Sequence, residues 1–292
     1  MKSLRGSLYA IVSSATFGLI PLFSIPLLAS GMRSAEILFY RMVFAAVIIG
    51  LAARFIFDST LRQPAGILLR TVALSVMYAV TSLGLIESYK YIPSGVTTTI
   101  HFLYPLVVTV IMALFFGVKS SKWVLLAVLI SLAGVAMLSL GDTGCTDLRK
   151  GIAWAGMTVF TYAAYITCVM KSRVSRVHST VLAFYVLLFS AVIFFIYALF
   201  TGGISLPDNS VEWTNLLLLA LIPTAVSNLT LVLAIKDIGS VMTSILGSME
   251  PLTAVIVGVV HFGEPFGADT FAGLVMVVAA VMIVIVQSGK KG

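Results

Sequence analysis

KDIGSVMTSILGSMEPLTAVIVGVVHFGE, residues 236–264, contains about 20 consecutive apolar or small residues, enough for one helix to cross a bilayer. Near its middle stands Glu250 followed by Pro251, an ionisable group where charge is costly and a residue that removes a helical hydrogen bond. An earlier copy exists. Residues 90–117, KYIPSGVTTTIHFLYPLVVTVIMALFFG, lie 146 positions upstream and align without a gap, Lys90 with Lys236, Ile92 with Ile238, Thr97 with Thr243, Pro105 with Pro251, Phe116 with Phe262 and Gly117 with Gly263. The offset is half of the 292-residue chain.

Composition sets the class. With 60% hydrophobic and only 10% charged residues, the chain falls far below the charged share of about 25% in soluble domains, and it reads as an integral membrane protein. The net charge of +7 comes from Lys and Arg scattered in short gaps between apolar runs, which forms no basic face and excludes nucleic acid as a partner. Cys145 falls in a loop and Cys168 inside an apolar run, so the two build neither a disulfide framework nor a metal site. The lipid bilayer is the partner that the composition requires.

Ten apolar runs of membrane-crossing length are delimited by charge, Gly or Pro: 6–28, 35–56, 67–88, 93–116, 122–140, 150–170, 179–201, 212–234, 239–261 and 268–287. The internal repeat extends across them. Leu38 to Ile48 in the second run resembles Ala183 to Ile193 in the seventh, and Arg5-Gly6 with Tyr9-Ala10 faces Lys150-Gly151 with Trp154-Ala155. The N-terminal run imitates a secretory signal, but its counterpart in the sixth run makes it a permanent span.

Residues 1–145 and 146–292 thus form two five-helix repeats of one functional membrane domain. Five spans per repeat is an odd number, so the second repeat enters the membrane from the opposite side. With the N-terminus inside, 13 Lys and Arg fall on the cytoplasmic side, against four outside (Arg33, Lys90, Arg149 and Lys150). Both termini are then cytoplasmic. The expected fold class is all-α integral membrane, with ten transmembrane helices in two inverted repeats, an architecture of secondary transporters.

Tyr40-Arg41 with Phe44-Ala45-Ala46, the pairs Tyr104-Pro105 and Glu250-Pro251, and Phe262-Gly263-Glu264 at the close of the ninth span carry a resemblance. The chain resembles the drug/metabolite transporter superfamily, and within it the ten-span bacterial EamA type, over essentially its whole length. The resemblance implies export or exchange of small metabolites, amino acids or drugs across the cell (plasma or inner) membrane, with spans of both halves lining a central cavity. It implies no particular substrate.

Polar residues inside the spans are the candidates for the chemistry. On a helix, positions i, i+4 and i+7 share a face, which aligns Thr97, His101 and Tyr104 in the fourth span and Thr243, Gly247 and Glu250 in the ninth. His101 and Glu250 both reach about midplane. Three roles are open to Glu250: a neutral acid hydrogen-bonded in the bundle, a contact for a cationic or amino-bearing substrate, or a proton-coupling carboxylate. His101 is either a hydrogen-bonded core residue or a substrate ligand. Pro105 and Pro251 each leave a carbonyl without its helical partner, at His101 and Gly247, to serve a kink or a gate.

Tyr78, Thr81 and Ser82 in the third span face Thr224, Ser227 and Asn228 in the eighth, where Pro223 loosens the helix. Asn228 has to point inward, toward either substrate or a neighbouring helix. Tyr162 and Tyr165, with Trp154, suit an aromatic wall. Arg41 breaks the repeat against Val186; pairing with Glu87 neutralises both, and snorkelling of each to the outer surface is the competing arrangement.

No zinc-type spacing, nucleotide-binding loop or nucleophile constellation is present, so the reading is of a non-enzyme that binds a small molecule without cofactor or metal. A secondary transporter, an exporter or exchanger working by alternating access, fits two matched inverted halves best. A non-transporting receptor or scaffold is the alternative, and an intramembrane enzyme the third. Substrate, flux direction, proton coupling and a possible homodimer stay open.

Overall fold

The computed structural model describes residues 2–117, 122–140, 145–247 and 249–289. Among them every regular element is helical: α1 (Lys2–Phe17), α2 (Ile20–Ala29), α3 (Ser34–Phe55), α4 (Ala65–Ser88), α5 (Ser94–His101), α6 (Tyr104–Phe116), α7 (Lys122–Leu140), α8 (Leu148–Lys171), α9 (Ser179–Phe200), α10 (Ser210–Ala220), α11 (Ser227–Leu246), α12 (Met249–Phe262) and α13 (Ala268–Gly289). Seven stretches of the described residues are long and apolar enough to cross a membrane, from Leu4–Ala29 to Ser210–Leu231, and the shorter apolar helices Met249–Phe262 and Ala268–Ala280 follow. The protein is a multi-pass membrane protein.

Three expected spans are not single helices. The first breaks between α1 and α2 at Gly18-Leu19, the fourth between α5 and α6 at Phe102-Leu103, and the ninth ends α11 and restarts at α12. Pro21, Pro105 and Pro251 each stand in the first turn after the break, where a missing N–H costs least. The carbonyl expected to be freed at Gly247 is instead taken by the Glu250 N–H at 3.0 Å, a tighter turn that the break allows. Pro223 is accommodated in a π-helical turn, Leu221–Val226, which joins α10 to α11.

Helix α11 runs through the loop expected at 235–238, yet it does not run straight. Ser13 Oγ donates to the Ser227 carbonyl at 2.8 Å, and the adjacent Ser14 Oγ lies 2.9 Å from the Leu246 carbonyl. A straight helix separates those two carbonyls by about 28 Å. The path therefore doubles back near Asp237, which lies level with Gly6. The reversal falls at Lys236 and Asp237, within the loop expected at 235–238.

Packing follows a pseudo-two-fold. The most extensive interfaces are α3 with α9, α1 with α11, α7 with α13 and α4 with α8. Exchanging each helix for its repeat counterpart maps this set onto itself. Gly6 receives Ile238 in the same way as Gly151 receives Ile92, and these are counterparts in sequence; a Cβ on either glycine would collide with that isoleucine.

Counterpart helices run antiparallel. Along α3 and α9, Arg33 meets Thr201, Phe39 meets Phe195 and Gly50 meets Phe184. Along α5 and α12, Ser94 meets Gly258 and Gly95 meets Val255.

Close helix approach at the paired glycines predicts that Gly151→Leu and Gly6→Leu each destabilise by about 1–3 kcal/mol through overpacking. Gly156, with open space where its Cβ would be, serves as a control: Gly156→Ala leaves the melting temperature of the detergent-purified protein nearly unchanged. Equal melting temperatures for all three variants would contradict the packing described.

Candidate functional site

The site grows from the broken helices. His101 ends α5 and Tyr104 begins α6, so the break turns both rings toward α8, where Tyr162 waits. The His101 ring lies 5.1 Å from that of Tyr162 and 5.5 Å from that of Tyr104, and Tyr104 meets Tyr162 edge-on at 4.7 Å. From Tyr162 the rings continue to Tyr165 at 5.9 Å and on to Tyr78 of α4 at 5.5 Å. A track of aromatic rings thus crosses the interior, contributed by both repeats.

His101 has no solvent exposure, and its Nδ1 lies 2.8 Å from Thr158 Oγ1. The Thr158 hydroxyl donates to the Ala155 carbonyl at 2.5 Å, which leaves its oxygen to accept from Nδ1–H. Nε2 then carries a lone pair, and it has no partner among the described residues.

Glu250, in the first turn of α12, is 7% exposed, and its Oε1 is likewise without a partner among the described residues. Tyr89, Tyr104 and Tyr162 lie within electrostatic reach of its carboxyl group. The site therefore presents two orphan acceptors, Nε2 of His101 and Oε1 of Glu250, against aromatic surface. Such a pair suits a hydrogen-bond donor, an ammonium group or a transferred proton.

Other candidates are placed differently. Thr97 shares the α5 face of His101 but is engaged by Ser88 at 2.8 Å, and Ser88 also donates to the Gly151 carbonyl, so Thr97 ties α4, α5 and α8 together away from the rings. Asn228 Nδ2 donates to the Thr224 carbonyl at 2.6 Å, a bond within the loosened segment. Thr243 lies on α11, but its side chain is outside the described residues. Thr81 bonds Thr161 across α4 and α8 at 2.7 Å.

Arg41 neither pairs with Glu87 nor snorkels. Glu87 takes Lys90 at 2.6 Å, one turn away in the loop after α4, while Arg41 is 1% exposed and donates from Nε to Thr224 Oγ1 at 2.9 Å. Its position about 10 Å into α3, facing α4 and the π-turn, puts the guanidinium out of reach of the surface.

Two acids that spacing did not single out as site residues hold the ends of the same helices. Glu264 accepts from Ser94 N and Ser94 Oγ, both at 2.7 Å, and from Gly95 N at 3.4 Å, so a carboxylate of the second repeat caps the N-terminus of α5 in the first. Glu36 pairs with Arg33 at 2.6 Å and accepts from Ser205 N at 2.8 Å. Both fasten the end at which Arg33, Glu87, Lys90 and Thr201 line a cavity of about 180 Å³. Glu264 was legible only as part of the closing Phe-Gly-Glu motif; Thr158 and Tyr89 carried no sequence signal.

A polytopic bundle of two repeats with broken helices and orphaned polar atoms between them is the form of a membrane transporter. The EamA-like transporter family model matches residues 4–140 and again 149–286, and the chain belongs to this family. A solved protein crystal structure superposes on it with a TM-score of 0.67 at 17% identity, covering 99% of this chain and 98% of that one, which shows a shared fold. No curated protein matches significantly.

The cap predicts that Glu264→Ala lowers stability by about 1–2 kcal/mol, since it removes both a helix cap and a charge at the positive end of α5. Glu264→Gln, which keeps an acceptor oxygen, loses less. Melting curves of the two variants beside the wild type check the order, and a wild-type melting temperature for Glu264→Ala would contradict it.

Proposed function

We propose that the protein is a secondary transporter, an exporter or exchanger of a small metabolite such as an amino acid or related amphipathic compound, working by alternating access in the cell's inner membrane. Ten spans, with both termini cytoplasmic, form two halves, 1–145 and 146–292, that rock about a binding region at their interface. The observation that carries the reading is the pair of orphan acceptors, His101 Nε2 and Glu250 Oε1, set beside helix breaks in both repeats. Buried acceptors without partners are costly, and a site that binds and releases a donor-bearing solute relieves the cost only when loaded.

Tyr104, Tyr162 and Tyr78 supply the apolar walls, and Pro105 and Pro251 hold the breaks at which the two halves move. Two roles of Glu250 are compatible with this reading: it meets the amino or cationic group of the solute, or it carries the coupling proton. A receptor or scaffold has no need of two matched inverted halves.

Glu250→Gln is expected to lower transport at least about tenfold, the equivalent of ~1.4 kcal/mol, while the protein still folds. Proteoliposomes loaded with labelled amino acids, nucleosides, sugars or cationic drugs measure it. Wild-type rates in the variant would defeat both roles of Glu250. An imposed pH gradient separates them, because indifference to the gradient removes proton coupling.

A further inference from the structure

Arg41 is a permanently charged group sealed in the protein interior. Among the described residues its one hydrogen bond is to Thr224, its Nη1 has no partner, and no carboxylate forms an ion pair with it. A buried cation without an anion is unstable unless something supplies one.

Its surroundings are specific. Thr224 in the π-turn, which accepts from Arg41, and Tyr78 in α4, within electrostatic reach of it, are repeat counterparts. Tyr89, just beyond the end of α4, lies within electrostatic reach of both Arg41 and Glu250. Tyr78 is the first ring of the track that leads through Tyr165 and Tyr162 to His101. The interior therefore holds an orphan donor at one end of an aromatic track and orphan acceptors at the other.

We propose that Arg41 is an anion-binding subsite that takes the carboxylate of the transported solute, whose apolar body lies along the tyrosine rings. The assignment rests on the transporter reading and narrows it, since it makes an organic carboxylate the substrate class. Planar guanidinium donors match a carboxylate in geometry, and the Thr224 hydroxyl takes Nε, which leaves Nη1 for the anion. Where the sequence repeat offers Val186 in place of Arg41, the opposite half has no such group, so the subsite has one polarity.

The test uses deletion series in which one charged end is removed at a time. L-leucine, L-leucinamide, 4-methylpentanoate and 3-methylbutylamine, with the threonine and threoninamide pair, are added to the detergent-purified wild type and binding is read as the rise in melting temperature. The expected result is stabilisation by the carboxylate-bearing members, with the amides and the amine binding at least tenfold more weakly. In Arg41→Gln this preference for acid over amide disappears, in Arg41→Lys it is partly kept, and in Thr224→Val, which leaves the charge in place, it is reduced.

Equal preference in Arg41→Gln and wild type overturns the proposal, as does stabilisation by acetate equal to that by L-leucine, which would make the anion a mere counter-ion. Absence of binding by every carboxylate also overturns it. The first two outcomes leave the transporter reading intact, because it stands or falls on Glu250→Gln; the third removes amino acids from it and leaves the uncharged and cationic solutes. If Arg41→Gln does not fold, the Thr224→Val and Arg41→Lys ratios decide.

Discussion

A bilayer offers no water to a buried polar atom, and the arrangement of this protein follows from that constraint. Backbone groups are satisfied within helices, and where proline interrupts them the chain turns tightly enough to reuse the carbonyls, as at Gly247. Side-chain hydroxyls do the same, with Ser24, Thr98, Thr99 and Thr167 each returning to a carbonyl four residues back. Against that background, the buried side-chain atoms without a partner among the described residues belong, besides the hydroxyls of Ser34 and Ser172, to Arg41, His101 and Glu250. They gather on helices from both repeats, at the interface.

The two-fold relation explains how so many helices meet there. Small residues at corresponding positions let counterpart interfaces close to backbone contact, as at Gly6 with Ile238 and Gly151 with Ile92. The symmetry is then broken where chemistry is placed. Tyr104 has Glu250 as its counterpart, and Arg41 has Val186. A strictly symmetric pair of repeats would present the same group twice across the axis, which for a charge means repulsion; substitution in one copy gives a site with distinct ends.

Glu264 illustrates a second use of asymmetry. Its carboxylate reaches across the repeat interface to the N-terminus of α5, where unpaired N–H groups and the helix dipole favour an anion. This bond joins the end of one broken helix to the start of another, at the end of the bundle also held by Glu36 and Arg33.

Much was legible in the amino-acid order: the membrane class, the duplicated half, and His101, Tyr104, Tyr162 and Glu250 as residues too polar or too aromatic for lipid. Periodicity and composition are local properties, so a chain met as text displays them. The surroundings of Arg41 were not legible, because Thr224 lies 183 residues away and proximity in sequence favoured Glu87, which Lys90 holds instead. Thr97 likewise shares the right helix face, yet Ser88 engages it. Partners brought from distant helices are set by how the two repeats pack, and packing geometry is not encoded at any one position in the chain.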